Sequence, residues 1–188
     1  MKKVTAGLFI SLDGVVEAPH LWQFDVFDED MGAAMIDHLA RIDTVLLGRV
    51  TYQEWAGYWP NFSGEGGDRE YADFINNTPK YVATTTLPRL DWQNSILIEG
   101  DVAAAVAALK AGPGGNIGVQ GSPTLVRWLL AAGLVDELTL MLHPVVAGRG
   151  KRLFDGGGEL QRMNLIDSRI TGSGVAILTY SPRMQGDG

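Results

Sequence analysis

Leu46-Leu47-Gly48-Arg49-Val50-Thr51-Tyr52 and Gly118-Val119-Gln120-Gly121-Ser122-Pro123-Thr124 share one pattern: an apolar run, a glycine, then a hydroxyl-bearing start of a helix. Thr44-Val45-Leu46-Leu47 reads as a short strand buried on both faces of a parallel sheet, and Ile117 to Val119 as another strand. Gly48 lets the backbone turn tightly. Arg49 then brings a permanent cation to a helix start, where anions are already favoured, and Thr51 adds a hydroxyl. Gly121 has no side chain to keep a phosphate away. Ser122 can cap the next helix with Pro123 at its first position, and Thr124 adds another hydroxyl. In parallel α/β sheets, ligands collect at such strand ends. Either turn alone is also what an ordinary strand-to-helix connection looks like, with Arg49 a solvated surface residue. Their recurrence after two apolar strands supports a phosphate-binding reading.

Outward from these turns, strands alternate with helices. Val4 to Leu12 reads as a first strand, with Val4, Ala6, Leu8, Ile10 and Leu12 on one side. Leu21 to Asp30 reads as a loop, and Met31, Met35, Ile36 and Leu39 predict a helix from Asp30 to Ile42. Further helices are expected from Val50 to Tyr58 and from Arg69 to Asn76, then a strand from Tyr81 to Thr84 and a short one from Ser95 to Ile98. Asp101 can cap a helix carrying Val102, Val106 and Leu109. Leu125, Val126, Leu129 and Leu130 form the buried stripe of the helix after Ser122, and Gly133 stops it. Leu138, Leu140 and Leu142 alternate as a strand. Asn164–Ile170 and Val175–Tyr180 flank Thr171-Gly172-Ser173-Gly174, an antiparallel hairpin by its turn residues. The pattern predicts a mostly parallel α/β sheet with an antiparallel edge, in one domain over 1–182 and a frayed tail over 183–188.

Composition narrows the function. The 188 residues carry 15 Lys+Arg against 22 Asp+Glu, a net charge of −7, which argues against nucleic-acid or anionic-membrane partners. With 46% hydrophobic and 20% charged residues, the chain can bury a sizeable core. It has no Cys, which excludes disulfides, thiolate metal sites and cysteine nucleophiles. His20, His38 and His143 show no metal-ligand spacing, so no metal is expected. No signal-like or membrane-spanning stretch is read, and a cytoplasmic protein is the expectation.

Other segments suit a nucleotide and a flat ligand. Thr84-Thr85-Thr86-Leu87-Pro88-Arg89 follows a strand, and hydroxyls beside an Arg suit a ribose phosphate, although β-branched residues could simply continue the strand. Gly112-Pro113-Gly114-Gly115-Asn116-Ile117-Gly118 imitates a dinucleotide fingerprint but precedes a strand, so it reads as a loop. Asp25, Asp28, Glu29 and Asp30 cluster before a helix, where capping is their first role. Trp22, Phe24, Trp55, Tyr58 and Trp59 offer walls for a planar heteroaromatic substrate.

An ordered set of segments carries a family resemblance: Ser11-Leu12-Asp13-Gly14, Leu47 to Tyr52, Gly121 to Leu125, Gly133-Leu134-Val135-Asp136-Glu137-Leu138, Pro144-Val145-Val146-Ala147-Gly148-Arg149-Gly150 and Leu153-Phe154. From about Lys3 to Tyr180 the chain resembles the C-terminal reductase domain of the bifunctional riboflavin-biosynthesis deaminase-reductase, within the dihydrofolate-reductase-like fold. The resemblance implies a central sheet of about eight strands and NADPH bound across the strand ends. It implies that Gly48, Arg49 and Thr51 hold cofactor phosphates and that Thr84 and Thr85 lie near the ribose phosphate. Gly118, Gly121, Ser122 and Thr124 would cradle the pyrophosphate, with Ser11 and Asp13 near the nicotinamide. From its length and lack of Cys the chain is expected to carry no deaminase domain, and no second phosphate site is evident.

The expectation is an NADPH-dependent reductase passing a hydride to a small heterocycle, like a 5-amino-6-(5-phosphoribosylamino)uracil reductase or a dihydrofolate reductase. Asp28 and Asp13 are the candidate catalytic acids, and Trp22, Phe24 and Trp55 the substrate walls. The alternative is an NADP(H)-binding sensor or carrier without turnover. A homodimer is expected from the resemblance and from the apolar Val175–Tyr180 hairpin strand.

Overall fold

A computed structural model of the chain describes residues 1–156 and 158–183. β1 (Val4–Ser11) buries Val4, Ala6, Leu8 and Ile10 on one face. The expected alternation stops there: Leu12 turns its N–H to the Val145 carbonyl, leaves the sheet and is 58% exposed. α1 (Glu29–Leu39) is shorter than expected, because Ile42 pairs with Asn116 and opens β2 (Ile42–Gly48). There follow α2 (Arg49–Ala56), α3 (Gly67–Asn77), β3 (Lys80–Ala83), β4 (Ser95–Leu97), α4 (Val102–Ala111), β5 (Asn116–Gln120), α5 (Pro123–Ala131), β6 (Glu137–His143), β7 (Met163–Ile170) and β8 (Ala176–Pro182).

The eight strands form one sheet in the order β4-β3-β2-β5-β1-β6-β8-β7. β4 through β6 run parallel, and β8 and β7 close the sheet antiparallel, as the sequence pattern predicts. The hairpin strand Ala176–Pro182 lies inside the sheet between β6 and β7, so the free edge belongs to β7. That edge leaves Leu165, Ile166 and Ile170 more than half exposed.

The two faces are covered differently. Val4, Ala6, Leu8 and Ile10 pack with Ile117 and Val119 of β5, with Val106 of α4, and with Leu125, Val126, Leu129 and Leu130 of α5. On the other face, Val45, Leu47 and Val82 pack with Tyr52 of α2 and Ile75 of α3, while Met31 of α1 meets Met141 and Val175. Lys80 is fully buried on this face, where its ammonium donates to the Ile75 carbonyl at 2.7 Å and the Thr78 carbonyl at 3.0 Å, closing the C-terminal end of α3. Because six neighbouring strands run parallel, their carboxyl ends and the helix starts that follow lie along one rim of the sheet.

Of the tail expected from Arg183 onward, residues 184–188 lie outside the described residues; Arg183 itself donates its N–H to the Arg162 carbonyl. Among the described residues no helix is long and apolar enough to cross a membrane. Nor, among them, are three or more His, Asp or Glu side chains grouped to hold a metal ion.

Candidate functional site

The two turns read from the sequence lie side by side, on the ends of the paired strands β2 and β5. They are tied to each other. The Gly48 N–H donates to the Ser122 hydroxyl at 2.8 Å, and the Ser122 N–H donates to the Thr51 hydroxyl at 3.1 Å. Ser122 is therefore not the side-chain cap expected of it. It stands at the N-cap of α5 with φ 53, in the left-handed region, its hydroxyl spent on the neighbouring strand end. Gly121 before it has φ 53 as well. A Cβ at Gly121 would sit 3.1 Å from Thr51 Cγ2 and 3.4 Å from Trp55, so the bare glycine is also what lets α2 pack close.

Neither α2 nor α5 has a side-chain cap on its N-terminus. Both open onto one cavity of about 2320 Å³. First-turn N–H groups have no acceptor within their own helix, so two positive helix ends face the same space. Gly48, Arg49, Thr51, Thr84, Thr85, Gly121, Ser122 and Thr124 all line it. The exposed Arg49 guanidinium donates to Gln53 Oε1 at 2.8 Å, one turn along α2. The Thr84 hydroxyl accepts the N–H groups of Thr86 and Leu87, shaping the turn after β3, and Thr85 is exposed.

Other expected residues lie elsewhere. Gly118 is buried in the middle of β5, where a Cβ would meet Ile42 Cδ1 at 2.5 Å; its job is close packing of β2, and it does not line the cavity. Ser11 is buried, accepting the Val15 N–H and donating to Asp13 Oδ1 at 2.7 Å. Asp13 also accepts the N–H groups of Ala147 and Gly148 at 2.9 and 3.0 Å, clamping the loop after β6 onto the end of β1. The Ser11 hydroxyl, with these N–H groups, holds the Asp13 carboxyl down to about 2. An acid so strongly ionised and set apart from the cavity is a clamp and not a proton donor.

Asp28 is the N-cap of α1: it accepts the Met31 N–H at 2.9 Å and, from the β7–β8 turn, the Ser173 N–H at 2.8 Å. These bonds, Met31's first, hold its carboxyl below the ordinary range, and Asp28 does not line the cavity. Asp30 adds a second mooring, to Arg169 at 2.6 Å and to the Gly172 N–H. Asp28 and Asp30 of the acid cluster thus cap and anchor, as their position at the start of a helix suggests. Of the aromatic walls, Phe24 and Trp55 line the cavity. Trp22 does not; it sits edge-on to the fully buried His143, ring centroids 5.4 Å apart, beside a separate small recess.

The profile of the RibD C-terminal domain family matches residues 2–177. The chain belongs to that family. Over 181 residues it is 32% identical to the uncharacterized protein YyaP of Bacillus subtilis (strain 168), covering 95% of this chain and 94% of that one. A Shewanella sp. PV-4 protein named for riboflavin biosynthesis has a similar fold, with a TM-score of 0.78 at 18% identity over 97% of this chain and 99% of that one. So does the dihydrofolate reductase of Enterococcus faecalis, solved with NADP(H), with a TM-score of 0.59 at 14% identity over 97% of both chains.

Sequence reasoning missed the floor of this RibD C-terminal domain's cavity. Gly7 of β1 pairs with Gln120 of β5 and Thr139 of β6, which sets the three side by side across the sheet. His38 of α1 lies over the gap: a Cβ on Gly7 would sit 3.3 Å from its Nε2. Burial lowers the His38 pKa, so the ring is neutral near pH 7. Gln120 accepts the Tyr71 hydroxyl at 3.3 Å. A period-2 reading of β1 marks Gly7 only as a gap in the alternation, and nothing local reveals what fills it.

Proposed function

We propose that this chain is an NADPH-dependent reductase that delivers a hydride to a small heterocyclic substrate. One observation carries the reading: two uncapped helix N-termini, α2 and α5, meet at the cross-tied ends of β2 and β5 beside Arg49. A pyrophosphate suits the free N–H groups there, and the Arg49 guanidinium with the Thr84 and Thr85 hydroxyls suits a ribose phosphate. The Enterococcus dihydrofolate reductase, similar in fold, was solved with NADP(H), which supports the same cofactor.

Bound there, NADPH would supply the hydride. The chain's own residues do the rest. Gly48, Gly121 and the helix starts would hold the cofactor's phosphates. Phe9, Phe24 and Trp55 flatten and dry the cavity beside it. Asp13 and Asp28 lie outside the cavity and burial keeps His38 neutral, so none of these three is the proton donor in this reading. We also propose a cytoplasmic homodimer formed along the free edge of β7. The deciding experiment is a thermal melt against NADPH concentration, followed by NADPH oxidation with pterin, pyrimidine and quinone acceptors. A melt unmoved by millimolar NADPH removes the reading.

A further inference from the structure

The cavity crosses the rim of the sheet, and one arm of it lies on the face covered by α4 and α5. There it is lined by Leu97, Ile98 and Val102 around the start of α4, and by Leu125 and Trp128 of α5. Ile98 and Leu125 belong to the same buried core, which sets the two helix starts on one face. In the strand order, β3 and β2 end between them, so the turn from Thr84 to Leu87 lies at the foot of this arm.

Trp128 is placed by the helix that carries it. Leu125, Val126, Leu129 and Leu130 form the buried stripe of α5. At 3.6 residues per turn, Arg127 and Trp128 fall on opposite flanks of that stripe. Arg127 pairs with Asp155, beyond β6, so its flank faces β6 and the flank of Trp128 faces β2, β3 and α4. Trp128 is 43% exposed and is the one aromatic residue in either helix. No ring–ring contact among the described residues involves it, whereas Trp55, Trp59 and Tyr71 on the other face pack on one another at 4.9 to 6.2 Å. A large aromatic side chain open to a cavity, with no other ring against it, is a ready stacking surface.

We infer that Trp128 is the wall on which the cofactor's adenine stacks. In NADPH the ribose that carries the 2′-phosphate also carries the adenine, so a phosphate held by Arg49, Thr84 and Thr85 directs the base into the arm between α4 and α5. Leu97, Ile98, Val102 and Leu125 give that arm an apolar lining suited to a purine ring. This rests on the NADPH reading and adds to it a binding residue far along the chain from Arg49. The probes are NADPH and 2′,5′-ADP, the half of the cofactor that holds the adenine, each titrated by thermal shift and by indole fluorescence. Trp128→Ala should weaken both by the same factor, about tenfold, as expected for loss of one base–aromatic stack. Trp128→Phe keeps a ring and should stay within about threefold of the parent. In the parent, 2′,5′-ADP should quench part of the indole emission. That part should vanish in Trp128→Phe, which keeps the rest of the five tryptophans.

Should Trp128→Ala lower the melting temperature of the free protein, the fluorescence of Trp128→Phe decides. Unchanged 2′,5′-ADP affinity in Trp128→Ala, a quench that persists in Trp128→Phe, or a parent that binds NADPH but not 2′,5′-ADP would each deny Trp128 a part in holding the adenine. In those cases the NADPH reading stands, since the parent still binds the whole cofactor. If the parent binds neither probe, the NADPH reading falls first and the role of Trp128 falls with it.

Discussion

The Ser122 hydroxyl accepts the Gly48 N–H at 2.8 Å, joining the end of β5 to the end of the adjacent β2 across 74 residues of sequence. Each strand end thereby helps hold the other in the shape that exposes its helix N-terminus. Ser122→Ala leaves the Gly48 N–H without this partner. The variant should lose about 1–3 kcal/mol in denaturant unfolding. NADPH should also bind more weakly, because both turns loosen. An unchanged NADPH affinity would show that the tie serves the fold alone.

Arg49 tests cofactor choice. A charge-assisted hydrogen bond is worth about 1.5–3 kcal/mol, so Arg49→Ala should weaken NADPH roughly ten- to a hundredfold. NADH, which lacks the 2′-phosphate, should be much less affected. Titration of the variant with each cofactor decides. An equal loss for both would assign Arg49 to the pyrophosphate instead.

Gly121 carries two demands, a left-handed backbone with φ 53 and close contact with Thr51 and Trp55. Gly121→Val should therefore abolish the NADPH thermal shift and lower the melting temperature of the free protein. Gly121→Ala keeps the volume small and should still weaken NADPH, read in the same melts. Full binding by both variants would make this turn structural only.

Asp13 gives a pH signature. Its folded-state pKa of about 2 lies below the ordinary value of 3.8. Its contribution to stability is thus present above about pH 4 and is lost as pH falls from about 4 to about 2. Asp13→Asn should flatten the fall in unfolding free energy over that window and free the Ala147–Gly148 loop to exchange its amide hydrogens faster. Activity per folded molecule should fall far less than loss of a catalytic acid would require.

The free edge of β7 tests the dimer. Leu165→Lys combined with Ile170→Lys places two charges where apolar side chains are 54% and 65% exposed. The double variant should sediment as a monomer at concentrations where the parent chain is a dimer. A parent that is itself monomeric at micromolar concentration would remove the proposal.

The strand-end turns were legible because their signal is local: an apolar run, a glycine and a helix start fit in seven residues. The family resemblance alone put Gly118 in the cradle, and the glycine there serves Ile42 on a neighbouring strand. Asp13 was visible as an acid beside a turn, but its partners Ala147 and Gly148 lie 134 and 135 residues away. Ser122 looked like a helix cap because a serine before Pro123 commonly is one; its left-handed backbone and the nearby Gly48 N–H redirect the hydroxyl. The floor of Gly7, His38 and Gln120 was not legible at all. Three elements far apart in sequence build it, and each contributes one residue.

The mooring of α1 also sets an order of assembly. Asp28 begins the helix that carries Met35 and His38 over the cavity, yet its second oxygen is satisfied by Ser173, 145 residues further on. During synthesis from the N-terminus, the turns at Gly48 and Gly121 can form while that carboxylate still lacks its partner. Contacts of such long sequence separation are slow to close, because the entropy of the intervening chain must be overcome first. The Gly48–Ser122 tie needs no residue beyond Ser122, whereas the stretch of cavity wall carried by α1 gains its Ser173 anchor only when the last hairpin docks.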